Sequence, residues 1–304
     1  MAKIRLQFDK FHHALKDTLE TVFPETGNIL RPGPKPKFTD IDIIVLSLTS
    51  EYMGIDCEVD LFDQLDKEKK DFPYLISRRQ YNDRRRLLLP ETEKLCKLLM
   101  GKFAVSEDTF VIDSTPLRVC RIARWKRNKM KNENIPVIPN VGFCSAQEER
   151  YFGFKGHTIT TSEGVLQSFE LSEASLMDVK YLPMIPEIFN NSTIVGDKGY
   201  INDNVKYQLM DERKIDLQMP YRKNQKDKPT LPKHLRIIRK RIETTFSQLK
   251  RQFNMGVNLA KKFLGFKTRI VSKITSLTTI HFINKFITKR PTMRVKYALN
   301  HYKF

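Results

Sequence analysis

Cysteine is scarce in this chain: four residues in 304, at positions 57, 96, 120 and 144, with no C-x-x-C pair. That spacing excludes a disulfide framework and a zinc ribbon or finger, and it makes a reducing, cytoplasmic compartment the expectation. No apolar run approaches the roughly 20 residues of a membrane-spanning helix. The opening MAKIRLQFDKFHHALKD is charged throughout, unlike a secretory signal. No G-x-x-x-x-G-K-[ST] loop supports nucleotide hydrolysis, and no G-x-S-x-G supports a serine nucleophile. Tryptophan occurs once, at Trp125, and no acidic residue follows Glu243.

What is abundant is positive charge. Lys and Arg number 54 against 35 Asp and Glu, a net of +19. The excess is confined to one part of the chain. Residues 1–110 carry 18 basic and 19 acidic side chains, whereas residues 111–304 carry 36 and 16. Such a balance points to a polyanionic partner on the C-terminal two thirds, with nucleic acid favoured over a membrane surface. The 40% apolar content is enough for a real core, and the length suits two domains.

Ile4, Phe8, Phe11, Leu15, Leu19 and Val22 recur at helical spacing, and Pro24 ends that helix. RPGPKPK (31–37) reads as a loop, and Thr39 as the cap of a helix reaching Gly54. A further amphipathic helix follows Arg78, Arg79 and Arg84–Arg86, so 1–105 reads as a helical domain. Near residue 108 the pattern changes. TFVID (109–113) and STIVGD (192–197) have the signature of short buried strands, and YFGFKGHTITT with VLQSFELS reads as a hairpin. LMDVKYLPMIPEIF reads as helical with a break at its prolines; NDNVKYQLMDERK and 233–253 read as helices, and IDLQMPYR as a strand. This is an α/β pattern with a mixed sheet over about 106–255. A basic amphipathic helix from 264 to 289 and a basic tail make up an extension over 256–304.

Two acids end apolar runs: Asp113 after Phe110-Val111-Ile112, and Asp197 after Ile194-Val195-Gly196. A carboxylate at the mouth of a buried strand is held rigidly, which metal coordination needs. Singly, each reads more readily as a turn residue. Glu243 lies in the helix 233–253, with Arg236, Arg239 and Lys250 at offsets of −7, −4 and +7, on one face. Its plainer reading is an i,i+4 ion pair with Arg239.

Asp113 in FVIDSTPLRV, Asp197 in IVGDKGY and the R-x2-R-x3-E-x6-K pattern around Glu243 resemble the DDE transposases of bacterial insertion sequences, in particular insertion-sequence family 982. The resemblance covers roughly residues 35–285. Related transposases have a tyrosine where this chain has Arg236. The resemblance implies a ribonuclease-H-like catalytic core and Asp113, Asp197 and Glu243 as catalytic, metal-binding residues. It also implies two Mg²⁺ ions with Mn²⁺ as a substitute, cleavage at element ends, and 3′-OH strand transfer into target DNA. Terminal inverted repeats and a homodimer on DNA belong to the same expectation. Two rival readings stand beside it: a structure-selective nuclease with the same core, and a non-catalytic DNA-binding protein derived from a transposase.

Candidate DNA contacts are Arg236, Arg239 and Lys250, then Lys198, and the cluster Arg124, Trp125, Lys126 and Arg127. The indole could stack on a base or pack on the core. His157 reads as a structural histidine, and Asp178 as a helix-start residue in an S-x-x-D pattern with Ser175. A helix-turn-helix built from 39–54 and 78–100 would bring Arg78, Arg79 and Arg84–Arg86 to DNA backbone; self-association is the other role for this domain.

Overall fold

The computed structural model describes residues 3–104, 107–221 and 230–303. In chain order the helices are α1 (Ile4–Val22), α2 (Asp40–Tyr52), α3 (Glu58–Lys67), α4 (Arg78–Leu87), α5 (Leu89–Ala104), α6 (Asp203–Arg213), α7 (Lys233–Arg251) and α8 (Phe263–Phe282). The strands are β1 (Thr109–Cys120), β2 (Asn140–Cys144), β3 (Glu149–Thr161), β4 (Leu166–Glu173), β5 (Thr193–Val195) and β6 (Asp216–Gln218). The chain divides into two compact units: 1–102 with 248–257 and 264–304, and 103–247 with 258–263.

The first unit is helical. In α1 the apolar stripe Ile4, Phe8, Phe11, Leu15 and Leu19 is buried. Thr39 caps α2 as its sequence suggests: its hydroxyl accepts from Asp42 N, and the Asp42 carboxylate accepts from Thr39 N. Ser77 and Gln80 form the same box at α4. The basic segment 264–304 packs with these helices, and α8 differs from the amphipathic helix expected. It is buried on nearly all sides from Ser272 to His281. Its hydroxyls make that burial affordable. Ser272, Thr275, Thr278 and Thr279 each donate to the carbonyl four residues earlier. Ser276 donates to Leu48 O and Ser47 to Ser272, which joins α8 to α2 through small side chains.

A buried charge network completes this unit. Lys273 Nζ lies 2.5 Å from Glu51 Oε2 and 2.8 Å from Asp56 Oδ1. Arg85 reaches Glu51 at 2.7 Å, and Arg269 reaches Glu58 at 2.6 Å. The expected helix-turn-helix is not formed, because α3 lies between α2 and α4, and the segment 78–100 divides into two helices at Leu88. Nor are Arg84 and Arg85 free for DNA. Arg84 bonds Asp40 and Phe38 O, Arg85 is buried in the network, and Arg86 bonds Asp83. Arg78 and Arg79 are exposed.

The second unit is built on one mixed sheet in the order β2-β3-β1-β5-β6, with β4 also on β3. β3 pairs antiparallel with β1, β2 and β4, while β1, β5 and β6 run parallel. β3 and β4 form the expected hairpin around Ser162-Glu163-Gly164. The expected helix over 176–189 is instead two 3₁₀ turns, Asp178–Met184 and Glu187–Phe189. Pro183 and Pro186 have no N–H to offer an α-helical ladder there. Phe110, Ile112, Ile159, Tyr181, Leu182, Phe189 and Ile194 form the core against the β5–α6–β6 segment. Leu231 and Leu235 pack on Val195, which fixes the start of α7 beside β5. This is a ribonuclease-H-like α/β fold.

Lys273 is fully buried between Glu51, which also pairs with Arg85, and the partly buried Asp56, so removing its charge leaves buried negative charge under-compensated. Lys273→Met is expected to lower stability by about 3–5 kcal/mol. A urea midpoint unchanged from the parent would show that the network contributes little.

Candidate active site

Parallel pairing of β1 with β5 runs over Thr109↔Thr193, Phe110↔Ile194 and Val111↔Val195 and then stops. Asp113 and Asp197 each lie two residues beyond that last pair. Ligand sites in such sheets form where parallel strands end at their carboxyl side. β1 does not end at Asp113, contrary to the sequence reading. It continues to Cys120 on β3, with Asp113 opposite Thr158. The mouth of the strand is therefore an opening on its β5 side only.

Asp197 also caps a turn: its Oδ1 accepts from Gly199 N at 2.7 Å and starts the 3₁₀ segment Lys198–Tyr200. A Cβ on Gly196 would sit 3.2 Å from Ile112 Cγ2, so glycine allows the close approach of this turn to β1. Asp113 Oδ1 accepts from Ser114 N at 2.7 Å. Burial raises the Asp113 pKa to about 7, helped by the charges of Asp197 and Asp178 and opposed by the Ser114 bond and by Arg239. Asp197 is raised by burial as well, and Arg239 and Lys155 oppose that shift.

A further carboxylate, Asp178, lies near this pair. Its Oδ1 accepts from Ser114 Oγ at 2.8 Å and from Lys155 Nζ at 3.1 Å. A Cβ on Gly199 would meet Asp178 Oδ2 at 3.0 Å and Asp197 Oδ1 at 2.9 Å, so these two carboxylates lie within about 6 Å of each other. The capping role expected for Asp178 is absent. Met177 is the cap position of that turn and makes no side-chain cap, while Ser175 bonds Asn140. A sequence signal for Asp178 did exist, in its place just after a hairpin strand, but only the fold brings it to Ser114.

Glu243 lies on the exposed face of α7. Its side chain is 57% exposed, and Arg239 Nη1 lies 3.7 Å away, the i,i+4 pair of the plainer reading. Among the described residues no three His, Cys, Asp or Glu side chains converge as a metal-holding group. In kind, the donors suit a hard dication: they are carboxylates, and burial disfavours the bare charge of Asp113 and Asp197. In number they fall short unless Glu243 leaves Arg239.

Residues 104–258, just over half of the chain, match the family described as the transposase DDE domain. The chain belongs to the DDE transposase family. No curated protein and no solved structure matches it.

The matched segment holds Lys198, Arg236, Arg239, Lys250 and the 124–127 cluster, and of these only Lys250 falls outside the second unit. Lys198 is exposed next to Asp197, and Arg236 is exposed on α7. The buried face of that helix carries Leu235, Ile242 and Thr245, so Arg236, Glu243 and Lys250 face outward along one stripe. Lys250 is in the last turn of α7, in the part counted with the helical unit. Arg124, Lys126 and Arg127 are exposed on the 3₁₀ segment Ile122–Arg127. Trp125 is half-buried, with its ring centroid 6.1 Å from that of Phe152 and Lys131 Nζ 5.5 Å over it. No helix among the described residues is long and apolar enough to cross a membrane.

His157 is structural, as expected. It is fully buried, bonds Ser172 Oγ at 2.8 Å and stacks on Tyr181 with centroids 4.1 Å apart. Burial lowers its pKa from 6.5 to about 4. Between those values the unfolded chain binds the proton and the folded chain does not, so stability falls as pH drops through that window and levels off below it. His157→Gln is expected to flatten this slope in urea titrations at pH 4, 5, 6 and 7; an undiminished slope would assign it to other groups, such as buried His281, lowered to about 3.

Proposed function

We propose that the chain is a DNA transposase of the insertion-sequence family 982 kind, acting on element ends with terminal inverted repeats and on target DNA. The observation that carries this reading is the position of Asp113 and Asp197, each two residues past the β1–β5 pairing, inside the segment that matches the family. Asp113, Asp197 and Glu243 would hold the divalent ions, two Mg²⁺ with Mn²⁺ as substitute. Bound there, the ions supply activation of the attacking oxygen and charge compensation at the leaving one.

The first reaction adds water to phosphorus at the element end and breaks the bond to the 3′ oxygen, leaving a 3′-OH and a 5′-phosphate. In the second, that 3′-OH adds to a target phosphorus and displaces a target 3′ oxygen. No covalent protein–DNA bond is needed. The chain's own groups orient and attract the substrate. Arg236, Arg239 and Lys250 offer a cationic track along α7, and Lys198 lies beside Asp197. Arg124, Lys126 and Arg127 form a second cationic contact, where Trp125 offers the exposed part of its indole to a base. Arg239 has two uses: it compensates the carboxylates before substrate arrives and can turn to phosphate once they are otherwise neutralised. Paired ends require two active sites, so a homodimer on DNA in the cytoplasm, at the nucleoid, completes the reading.

The test is cleavage of labelled DNA carrying element ends in Mg²⁺, in EDTA, and with Glu243→Gln. Expected is a loss of cleavage in both controls, about a hundredfold or more for the variant, with DNA binding retained. Joined products identify a transposase, and cut ends without joining a nuclease. Binding with no cutting under any divalent ion would sink the catalytic reading in favour of a DNA-binding protein. Arg236→Ala should reduce the salt slope of binding by about one.

A further inference from the structure

We infer that Asp178 is a positioning residue for the Asp113–Asp197 pair, locked in place by Ser114 and Lys155. This rests on the metal-binding reading of that pair. The geometry behind it is a three-way junction. Through Oδ1, Asp178 holds the Ser114 hydroxyl on β1, immediately after Asp113, whose carboxylate is itself held by the Ser114 N–H. The same oxygen holds Lys155 on β3, and Lys155 also donates to Leu176 O at 2.5 Å, which fixes the backbone leading into Asp178. Through Oδ2, Asp178 lies against Gly199, whose N–H orients Asp197. One carboxylate thus bonds the element that carries Asp113 and lies close against the turn that carries Asp197.

The bonding also explains why Asp178 is not itself read as a third ligand. Its Oδ1 already accepts from a hydroxyl and an ammonium, and the ammonium compensates its charge. Gly199 is required in the same arrangement, since a side chain there would fall between the two carboxylates at about 3 Å from each. Groups that orient metal-binding side chains in this way typically change affinity 10–100-fold when removed.

Lys155→Met separates positioning from simple charge. Removing a cation near an acidic site should, by Coulomb's law alone, tighten binding of another cation. If Lys155 acts by locking Asp178, the same change weakens it. The measurement is titration of the full-length chain with Mn²⁺ alone, reading free Mn²⁺ by electron paramagnetic resonance, with circular dichroism as the folding control. Expected is at least a tenfold weaker Mn²⁺ affinity for Lys155→Met, and roughly fivefold for Ser114→Ala, which removes one hydrogen bond and no charge. Should Lys155→Met not fold, Ser114→Ala decides by itself. Unchanged or tighter binding in the folded Lys155→Met variant overturns the proposal. Asp113→Asn distinguishes the two levels of the argument. If it too binds Mn²⁺ like the parent, the carboxylate–metal reading fails and the positioning role with it. If it loses Mn²⁺ while Lys155→Met does not, only the positioning role falls.

Discussion

The parallel alignment of β1 with β5 is the constraint on which the rest of the second unit depends. Three residue pairs set the register, and the pairing ends at Val111 and Val195. Beyond that point the strands part. β1 follows β3, while β5 turns at Gly196 toward Asp197. The two aspartates are thereby brought near each other by backbone pairing, and the charge of Asp197 acts on Asp113. A shift of one residue in this register would turn one carboxylate to the other face of the sheet.

Placing acids together has an electrostatic cost, and the fold meets it with two cations of different kinds. Lys155 is committed to Asp178 at 3.1 Å and partly buried. Arg239 acts at longer range on Asp113 and Asp197 and touches Glu243 only loosely, at 3.7 Å. The first is part of the scaffold; the second acts on the two aspartates through its charge. The same logic appears in the helical unit, where Lys273, Arg85 and Arg269 neutralise Glu51, Asp56 and Glu58 in the interior. The basic excess of the chain is therefore not all surface charge for a polyanion: part of it is structural.

Local features were legible wherever local physics decides them. Thr39 reveals the start of α2 because capping is a local interaction, and the α1 stripe shows its buried face through spacing alone. The β3–β4 hairpin follows from two β-rich runs flanking a short turn. Where the reading missed, a distant partner had intervened. The arginines at 84–86 look like a phosphate-binding run until Asp40, Glu51 and Asp83 claim them. The basic segment around α8 looks like a surface helix until its hydroxyls and Lys273 find partners in the interior.

By itself, then, the sequence determined the α/β pattern, the family and the three acids Asp113, Asp197 and Glu243 as candidates, because strand and helix periodicity and motif order are written in neighbouring residues. Tertiary structure alone decided that Asp113 lies within a long strand and that Asp178 is brought to Ser114 beside it. These outcomes depend on contacts such as that of Ser114 with Asp178, 64 residues apart. No local propensity specifies a pairing at that separation; it follows from the strand register that brings the two segments together.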